Sequence, residues 1–142
     1  MKTMKLSMTA LALVVLSQAA GCIFVSDDSP SQGVFHSTWT LTQGGSAVTC
    51  GDVGAVSVSV LSTGTDNMGH DDLFDCVDMA GDTLPLAIDD YTIAVDVLDA
   101  AMASLATAPA VLDASFVNDP CDADDGTTCT IDLPNVEFAF TP

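Results

Sequence analysis

The charge of this chain is almost entirely of one sign, which limits how the chain can fold. Lys2 and Lys5 are its only lysines, arginine is absent, and all 20 acidic residues follow Gly21. Removal of residues 1–21 would take the formal charge from −18 to −20. Without Lys/Arg salt bridges, the carboxylates must lie mostly in solvent. Such a surface also excludes nucleic acid as a partner, because binding to phosphates requires cationic side chains.

The acidic residues are almost all aspartate, with Glu137 as the one glutamate. Aspartate disfavours helices and favours turns. Between the acidic stretches, apolar and polar residues alternate over 35–41, 56–60 and 91–98. Alternation with a period of two predicts strands that bury one face. The chain therefore reads as short strands joined by acidic loops.

About seven such strands predict an all-β fold, an antiparallel Ig-like β-sandwich. The shorter candidates are 73–77, 111–117 and 136–140, whereas 81–90 is turn-like. Segment 99–108 suits either one or two helical turns or a poorly patterned strand. In the predicted sandwich Trp39 and Tyr91 lie on the core face, and His36 lies exposed on the opposite face of its strand.

The N-terminus has the pattern of an export signal. Residues 1–5 are basic, and residues 6–20 form an apolar run of about the right length for a signal peptide. The sequence Ala19-Ala20-Gly21-Cys22 resembles the bacterial lipobox, in which the cysteine is lipidated and becomes the new N-terminus. Ordinary cleavage nearby, which would leave Cys22 as a free thiol, is the alternative.

Three segments follow from this interpretation. Residues 1–21 are a lipoprotein signal peptide, 22–33 a lipidated polar tether, and 34–142 one β-sandwich domain. Several acyl chains give stable anchoring, since each buried methylene contributes ~0.8 kcal/mol. Ile23, rather than aspartate, follows the cysteine. By resemblance to lipoprotein sorting in Gram-negative bacteria, this favours the outer membrane.

The chain has five cysteines, and an odd number in an exported protein requires explanation. Lipidation of Cys22 leaves four, which allow three connectivities. We favour Cys50–Cys76 and Cys121–Cys129, because each pair closes a local stretch. A zinc site is the alternative, but the spacing of the cysteines and histidines does not match that of zinc ligands.

Two acidic clusters are candidates for cation binding. Asp119, Asp122, Asp124 and Asp125 lie close together in one loop, and calcium takes six to eight oxygen ligands. The alternative is a solvated acidic turn beside a disulfide. The second cluster would hold a divalent ion with help from a histidine, or is simply a flexible polar loop; its members are Asp66, Asn67, His70, Asp71, Asp72 and Asp75.

The motifs of nucleophilic and zinc-dependent hydrolases, G-x-S-x-G and H-E-x-x-H, are missing from the sequence. We therefore expect no enzyme and no cofactor, unless the acidic loops bind calcium. The expected partners are the membrane, through the lipid, and a protein or a glycan. The expected function is that of a structural or interaction module at the cell envelope, with a calcium-binding adhesion-type lipoprotein as the alternative.

Several short motifs together carry a family resemblance. They are Trp39-Thr40-Leu41 with Gly44-Gly45, Cys50-Gly51-Asp52-Val53-Gly54, the alternating valines up to Val60, Cys76, Leu84-Pro85, and Asp90-Tyr91-Thr92-Ile93-Ala94-Val95. This pattern resembles small surface lipoproteins of myxobacteria, whose modules are prealbumin-like or carboxypeptidase-regulatory-like β-sandwiches. The resemblance implies a surface-displayed β-sandwich, and it implies no catalytic residues.

Overall fold

The computed structural model describes residues 31–108, 111–117 and 128–142. These residues form two β-sheets, which confirms the all-β sandwich. The described residues contain eleven strands rather than the seven expected, because several are only two to five residues long. The strands are β1 (Gln32–Gln43), β2 (Ser46–Ala47), β3 (Ser57–Gly64), β4 (Gly69–Asp75), β5 (Ala80–Asp82), β6 (Leu86–Ala87), β7 (Asp90–Leu98), β8 (Ser104–Thr107), β9 (Leu112–Ser115), β10 (Thr128–Asp132) and β11 (Val136–Phe140).

The first sheet is built around β1, which pairs with five short strands. On one side β6, β5 and β2 run antiparallel to it, and on the other β10 and β11 run parallel to it. The backbone shows this division, since the Trp39 N–H donates to the Met79 carbonyl and the His36 carbonyl accepts from Leu133 N–H. The sheet is thus mixed, unlike the purely antiparallel arrangement expected.

The second sheet is antiparallel throughout. Its order is β4-β3-β7-β8, and β9 pairs with the other half of β7. Val60 lies opposite Asp72 on one neighbour and Val95 on the other. A register shift between Val97 and Leu98 marks the end of the regular pairing with β8.

The inner faces of the two sheets meet in one apolar core. Its largest fully buried side chains include Trp39, Phe35, Phe116, Phe138, Leu41, Ile93, Val58, Val60, Val95 and Val97. Trp39 and Tyr91 both lie in this core, as their alternation predicted. Val56 does not: it is 51% exposed, because β3 begins only at Ser57.

Two glycines of the first sheet let aromatic rings approach the backbone. A Cβ added at Gly33 would stand 2.2 Å from Phe116 Cε1, and one added at Gly81 would stand 2.3 Å from Phe74 Cδ1. Phe116 also stacks on Phe35, with ring centroids 4.2 Å apart. These rings fill the space that any larger residue at the glycines would need, so the close packing of the sheets depends on both glycines.

The ambiguous segment 99–108 resolves into a turn followed by β8. The Asp99 carboxylate accepts hydrogen bonds from the backbone N–H groups of Ala101 and Ala103. Met102 takes a left-handed backbone conformation, with φ of 62°. An aspartate that captures the backbone in this way favours a turn over a helix.

Helical structure among the described residues is limited to short turns. Helix α1 (Cys50–Val53) starts where Thr49 N–H donates to the Asp52 carboxylate, and it ends at Gly54, with φ of 72°. A 3₁₀ turn follows β4 at Cys76–Asp78. No helix among the described residues is long and apolar enough to cross a membrane.

Candidate functional site

The disulfide predicted between Cys50 and Cys76 is present, with a Cα–Cα distance of 6.1 Å. It joins α1 to the 3₁₀ turn, and the Trp39 indole N–H donates to the Cys76 carbonyl at 3.0 Å beside it. Cys129 is disulfide-bonded as well. Its predicted partner, Cys121, lies outside the described residues, so that pairing stays a prediction.

Two predicted sites fall outside the described part of the chain. These are the lipidation site Cys22 and the calcium loop with Asp119, Asp122, Asp124 and Asp125. Both stay predictions. The end predicted for the tether, residue 33, is wrong, because Ser31 is already buried and β1 begins at Gln32.

The second predicted cation cluster does not assemble. Successive residues of a strand point to opposite faces, so Asp71 and Asp75 lie on the other face of β4 from His70 and Asp72. Among residues 31–108, 111–117 and 128–142, no group of three or more His, Cys, Asp or Glu side chains is placed to hold a metal ion. The other alternative, a flexible polar loop, is wrong for most of the cluster, because β4 begins at Gly69 and includes residues assigned to that loop.

The strand position of His36 suggested a side chain that is simply exposed, but the structure places it against an acidic side chain. Its Nδ1 lies 2.6 Å from the Asp82 carboxylate, and its side chain is 36% exposed. Asp132 lies opposite His36 on the other side of β1. Sequence reasoning missed this hydrogen bond, because Asp82 on β5 lies in the segment 81–90, which reads as a turn.

The candidate site is an open groove of about 340 Å³ at one end of the second sheet. It lies where β3 ends and β7 begins, next to β9. Its lining residues are mostly hydroxyl-bearing or acidic: Thr63, Gly64, Thr65, Asp90, Tyr91, Thr92, Asp113, Ala114 and Ser115. None of these is a cysteine, a histidine or a lysine. Sequence reasoning missed this groove, because it arises from the pairing of three separate strands.

Strand register aligns the polar groups of the groove. Thr92 lies opposite Thr63 on β3 and opposite Asp113 on β9, which makes one row across the outer face. Asp90 lies opposite Ser115 in the next row. Diagonal neighbours on such a face are about 7–8 Å apart. The carboxylates of Asp90 and Asp113 thus face the same space from two strands.

A hydrogen-bonded loop closes one wall of the groove. The Asp89 carboxylate accepts from the Thr65 hydroxyl at 2.7 Å and from the Thr65 backbone N–H at 3.1 Å. The hydrogen bond from the Thr65 hydroxyl, followed by those from the backbone N–H groups of Asp90 and Thr65, lowers the pKa of Asp89. Asp66 accepts from Met68 N–H in the same turn. The turn between β3 and β4 is therefore held in place by its own Asp66 and by Asp89, which directly precedes β7.

Tyr91 supports the groove from the core side. It is 6% exposed, and its hydroxyl donates to the Ala87 carbonyl at 3.0 Å. Burial, followed by the nearby carboxylates of Asp89 and Asp66, raises the pKa of its phenol. Its ring packs edge-on against Phe35 and Phe116. Tyr91 therefore cannot stack its ring face on a sugar. This agrees with the core position that the sequence predicted for it.

The groove is equipped to accept hydrogen bonds. Among the described residues, no side chain or backbone group donates to the carboxylates of Asp90 or Asp113. Within the same described residues, the hydroxyls of Thr63 and Thr92 likewise have no hydrogen-bond partner. Two free carboxylates and two free hydroxyls suit a ligand that is rich in hydroxyl or amino groups and repel an anionic one.

Comparisons with protein families, with curated protein sequences and with solved structures found no match to this chain. The resemblance to myxobacterial surface lipoproteins therefore stays a prediction.

Proposed function

We propose that this chain is a bacterial lipoprotein whose β-sandwich is a non-catalytic interaction module displayed at the cell envelope. Cys22 carries the lipid, and residues 23–30 link it to the folded domain, at the outer membrane. The observation that carries the interaction role is the groove between β3, β7 and β9, whose lining has carboxylates and hydroxyls but no nucleophilic thiol or general-base histidine.

The chemistry of the groove favours binding over turnover. Its two carboxylates, those of Asp90 and Asp113, are exposed on the outer face of the sheet. The hydrogen-bonding groups instead match a hydroxyl- or amine-rich surface, such as a glycan or the polar side chains of a protein. The net negative charge disfavours anionic partners at the same time.

Palmitate labelling tests the anchor. The full chain is expressed in a Gram-negative host beside the Cys22→Ala variant, and we expect label in the parent chain alone. Cys129→Ala is the matched control, because it also removes a cysteine but should keep the label. Equal labelling of the parent and Cys22→Ala chains would contradict the proposal.

Binding to oligosaccharides tests the groove. A panel of neutral and amine-bearing oligosaccharides is presented to the full chain in mild detergent. Asp90→Asn combined with Asp113→Asn should abolish the binding seen with the parent. Asp71→Asn combined with Asp75→Asn changes the charge equally but lies on β4, and it should leave binding intact. Loss of binding in both double variants would show a general charge effect, and hydrolysis of any probe would show an enzyme.

A calcium-dependent form of this module is the second candidate. It rests on the sequence of the loop that holds Asp119, Asp122, Asp124 and Asp125, where closely spaced carboxylates offer the oxygen ligands that calcium prefers. Bound calcium would also offset part of the net charge of −18. In this form, calcium orders the acidic loop and so controls adhesion.

A further inference from the structure

We infer that the outer edge of β4 is a docking site for an extended, cationic segment of a partner protein, which adds to the second sheet as a further strand. This goes beyond the proposed function, because neither the lipid anchor nor the groove uses this edge. β4 is the terminal strand of its sheet, and within the described residues it pairs with β3 alone.

The backbone of β4 offers hydrogen bonds along its free side. Cys76 N–H donates to the Val56 carbonyl, and Gly64 N–H donates to the Met68 carbonyl. Since hydrogen bonding alternates along an antiparallel strand, the even-numbered residues of β4 bond to β3. The N–H and C=O groups of the odd-numbered residues, among them Asp71 and Leu73, therefore face the open side. A row of such groups is a template for strand addition.

The side chains of the same odd-numbered residues indicate which side chains the partner strand should carry. Asp71, Leu73 and Asp75 all lie on the outer face of β4, in the order acidic, apolar, acidic, and all three are exposed. Ser59 donates to one oxygen of the Asp71 carboxylate, which holds this group on the face of the sheet. Leu61, 39% exposed on the neighbouring strand, adds to the apolar surface around Leu73. The matching strand would present cationic, apolar and cationic side chains at alternate positions, because cross-strand neighbours pair directly.

A second copy of this chain is a poor occupant of the edge. Neither lysine nor arginine occurs after Lys5, and the chain carries a formal charge of −18, so two copies would bring like charges together. Asp72 strengthens this exclusion, since it points inward at the edge and accepts from Leu84 N–H. Inward-pointing charge at an edge strand opposes pairing with apolar strands. A basic segment instead gains electrostatic attraction to the same carboxylates.

A nine-residue probe peptide tests the inference. The probe has Lys, Val and Lys at alternate positions with Thr between them, and it is titrated into the full chain in mild detergent. We expect amide NMR shifts and slowed amide hydrogen exchange at Asp71 and Leu73, and weaker binding at high salt. A probe that is N-methylated at alternate backbone amides should lose binding, because it cannot complete the ladder of hydrogen bonds.

Variants separate strand addition from simple charge attraction. Asp71→Asn combined with Asp75→Asn should weaken binding roughly fivefold, the size expected for two cross-strand charge pairs. Asp90→Asn combined with Asp113→Asn is the matched control, and it should bind like the parent chain. Equal weakening by both variants, or full binding of the N-methylated probe, would overturn the inference. A dimer seen by sedimentation, together with slow hydrogen exchange of the β4 amides before the probe is added, would assign the edge to a second copy. That result would also overturn the inference.

Discussion

The ring of Phe116 lies directly on the backbone at Gly33. Phe116 Cε1 stands 2.2 Å from the point that a Cβ on Gly33 would occupy. Gly33 is part of β1, whereas Phe116 follows β9 in the other sheet, so this contact joins the two layers. The ring also stacks on Phe35 and meets Tyr91 edge-on, and it thereby links the core to the support of the groove.

Gly33→Ala should therefore destabilise the fold by at least ~1–3 kcal/mol, the usual penalty for overpacking a core. The added methyl can be accommodated only if the Phe116 ring moves. Gly51→Ala is the control: its nearest neighbour atom would be 3.9 Å away, and alanine favours the short helix there. Urea unfolding measures both free energies. Equal stability of the Gly33→Ala and Gly51→Ala variants would contradict the close contact.

Tyr91 should titrate above its ordinary value of 10.0, because burial and the carboxylates of Asp89 and Asp66 raise the pKa of its phenol. It is the only tyrosine in the chain, so the ultraviolet absorbance of tyrosinate reports it alone. Since the folded state favours the neutral phenol, its contribution to stability is present below pH ~10 and is lost as pH rises through the folded pKa. Titration at or below 10.0 in the folded chain would argue against the buried position.

Reduction of the Cys50–Cys76 disulfide should lower the free energy of unfolding by about 3.5 kcal/mol, from the entropy of closing a loop of this length. The separation of the two cysteines is 26 residues. Trp39, the only tryptophan, donates to the Cys76 carbonyl, so its fluorescence follows unfolding of this region. The double variant Cys50→Ala with Cys76→Ala should lose part of this free energy of unfolding. Adding reductant to that variant should then lower its free energy of unfolding less than it does in the parent chain. An unchanged urea midpoint in that variant would contradict this account.

The sequence predicted those parts of the fold in which one strand carries its own pattern. The alternation over 35–41 and 91–98 predicted buried positions for Trp39 and Tyr91 correctly, and local spacing predicted the Cys50–Cys76 bond. Strands of two or three residues, such as β5 and β6, carry no periodicity, so they read as a turn. The strand count was too low for this reason.

Other features depend on pairing between distant segments, which a single sequence does not encode locally. The parallel alignment of β10 with β1 places Asp132 beside His36. That of β11 with β1 lets the Thr42 hydroxyl donate to the Glu137 carboxylate, 95 residues along the chain. The groove needs Thr63, Thr92 and Asp113 side by side on three strands. The side chains of the acidic cluster at 66–75 do not converge, because β4 begins at Gly69 and divides those that it carries between two faces.

Salt should raise the melting temperature of the full chain through screening of its negative charge, whatever the cation. Screening shortens the range of surface repulsion from ~8 Å at physiological salt to ~3 Å near 1 M. At fixed ionic strength, we expect calcium and magnesium to give the same melting temperature. A saturable rise specific to calcium, lost in Asp122→Asn combined with Asp124→Asn, would instead establish the calcium-dependent module, because a ligand of the folded state stabilises it by mass action.

The mass of the intact protein extracted from envelopes of a Gram-negative host tests the central proposal most directly. The account predicts a chain that begins at Cys22 and carries a diacylglyceryl group and a further acyl chain on that residue. The lipid should be absent from the Cys22→Ala variant, while Cys129→Ala should retain it. A secreted chain without lipid, with Cys22 unmodified or removed, would contradict the anchored module.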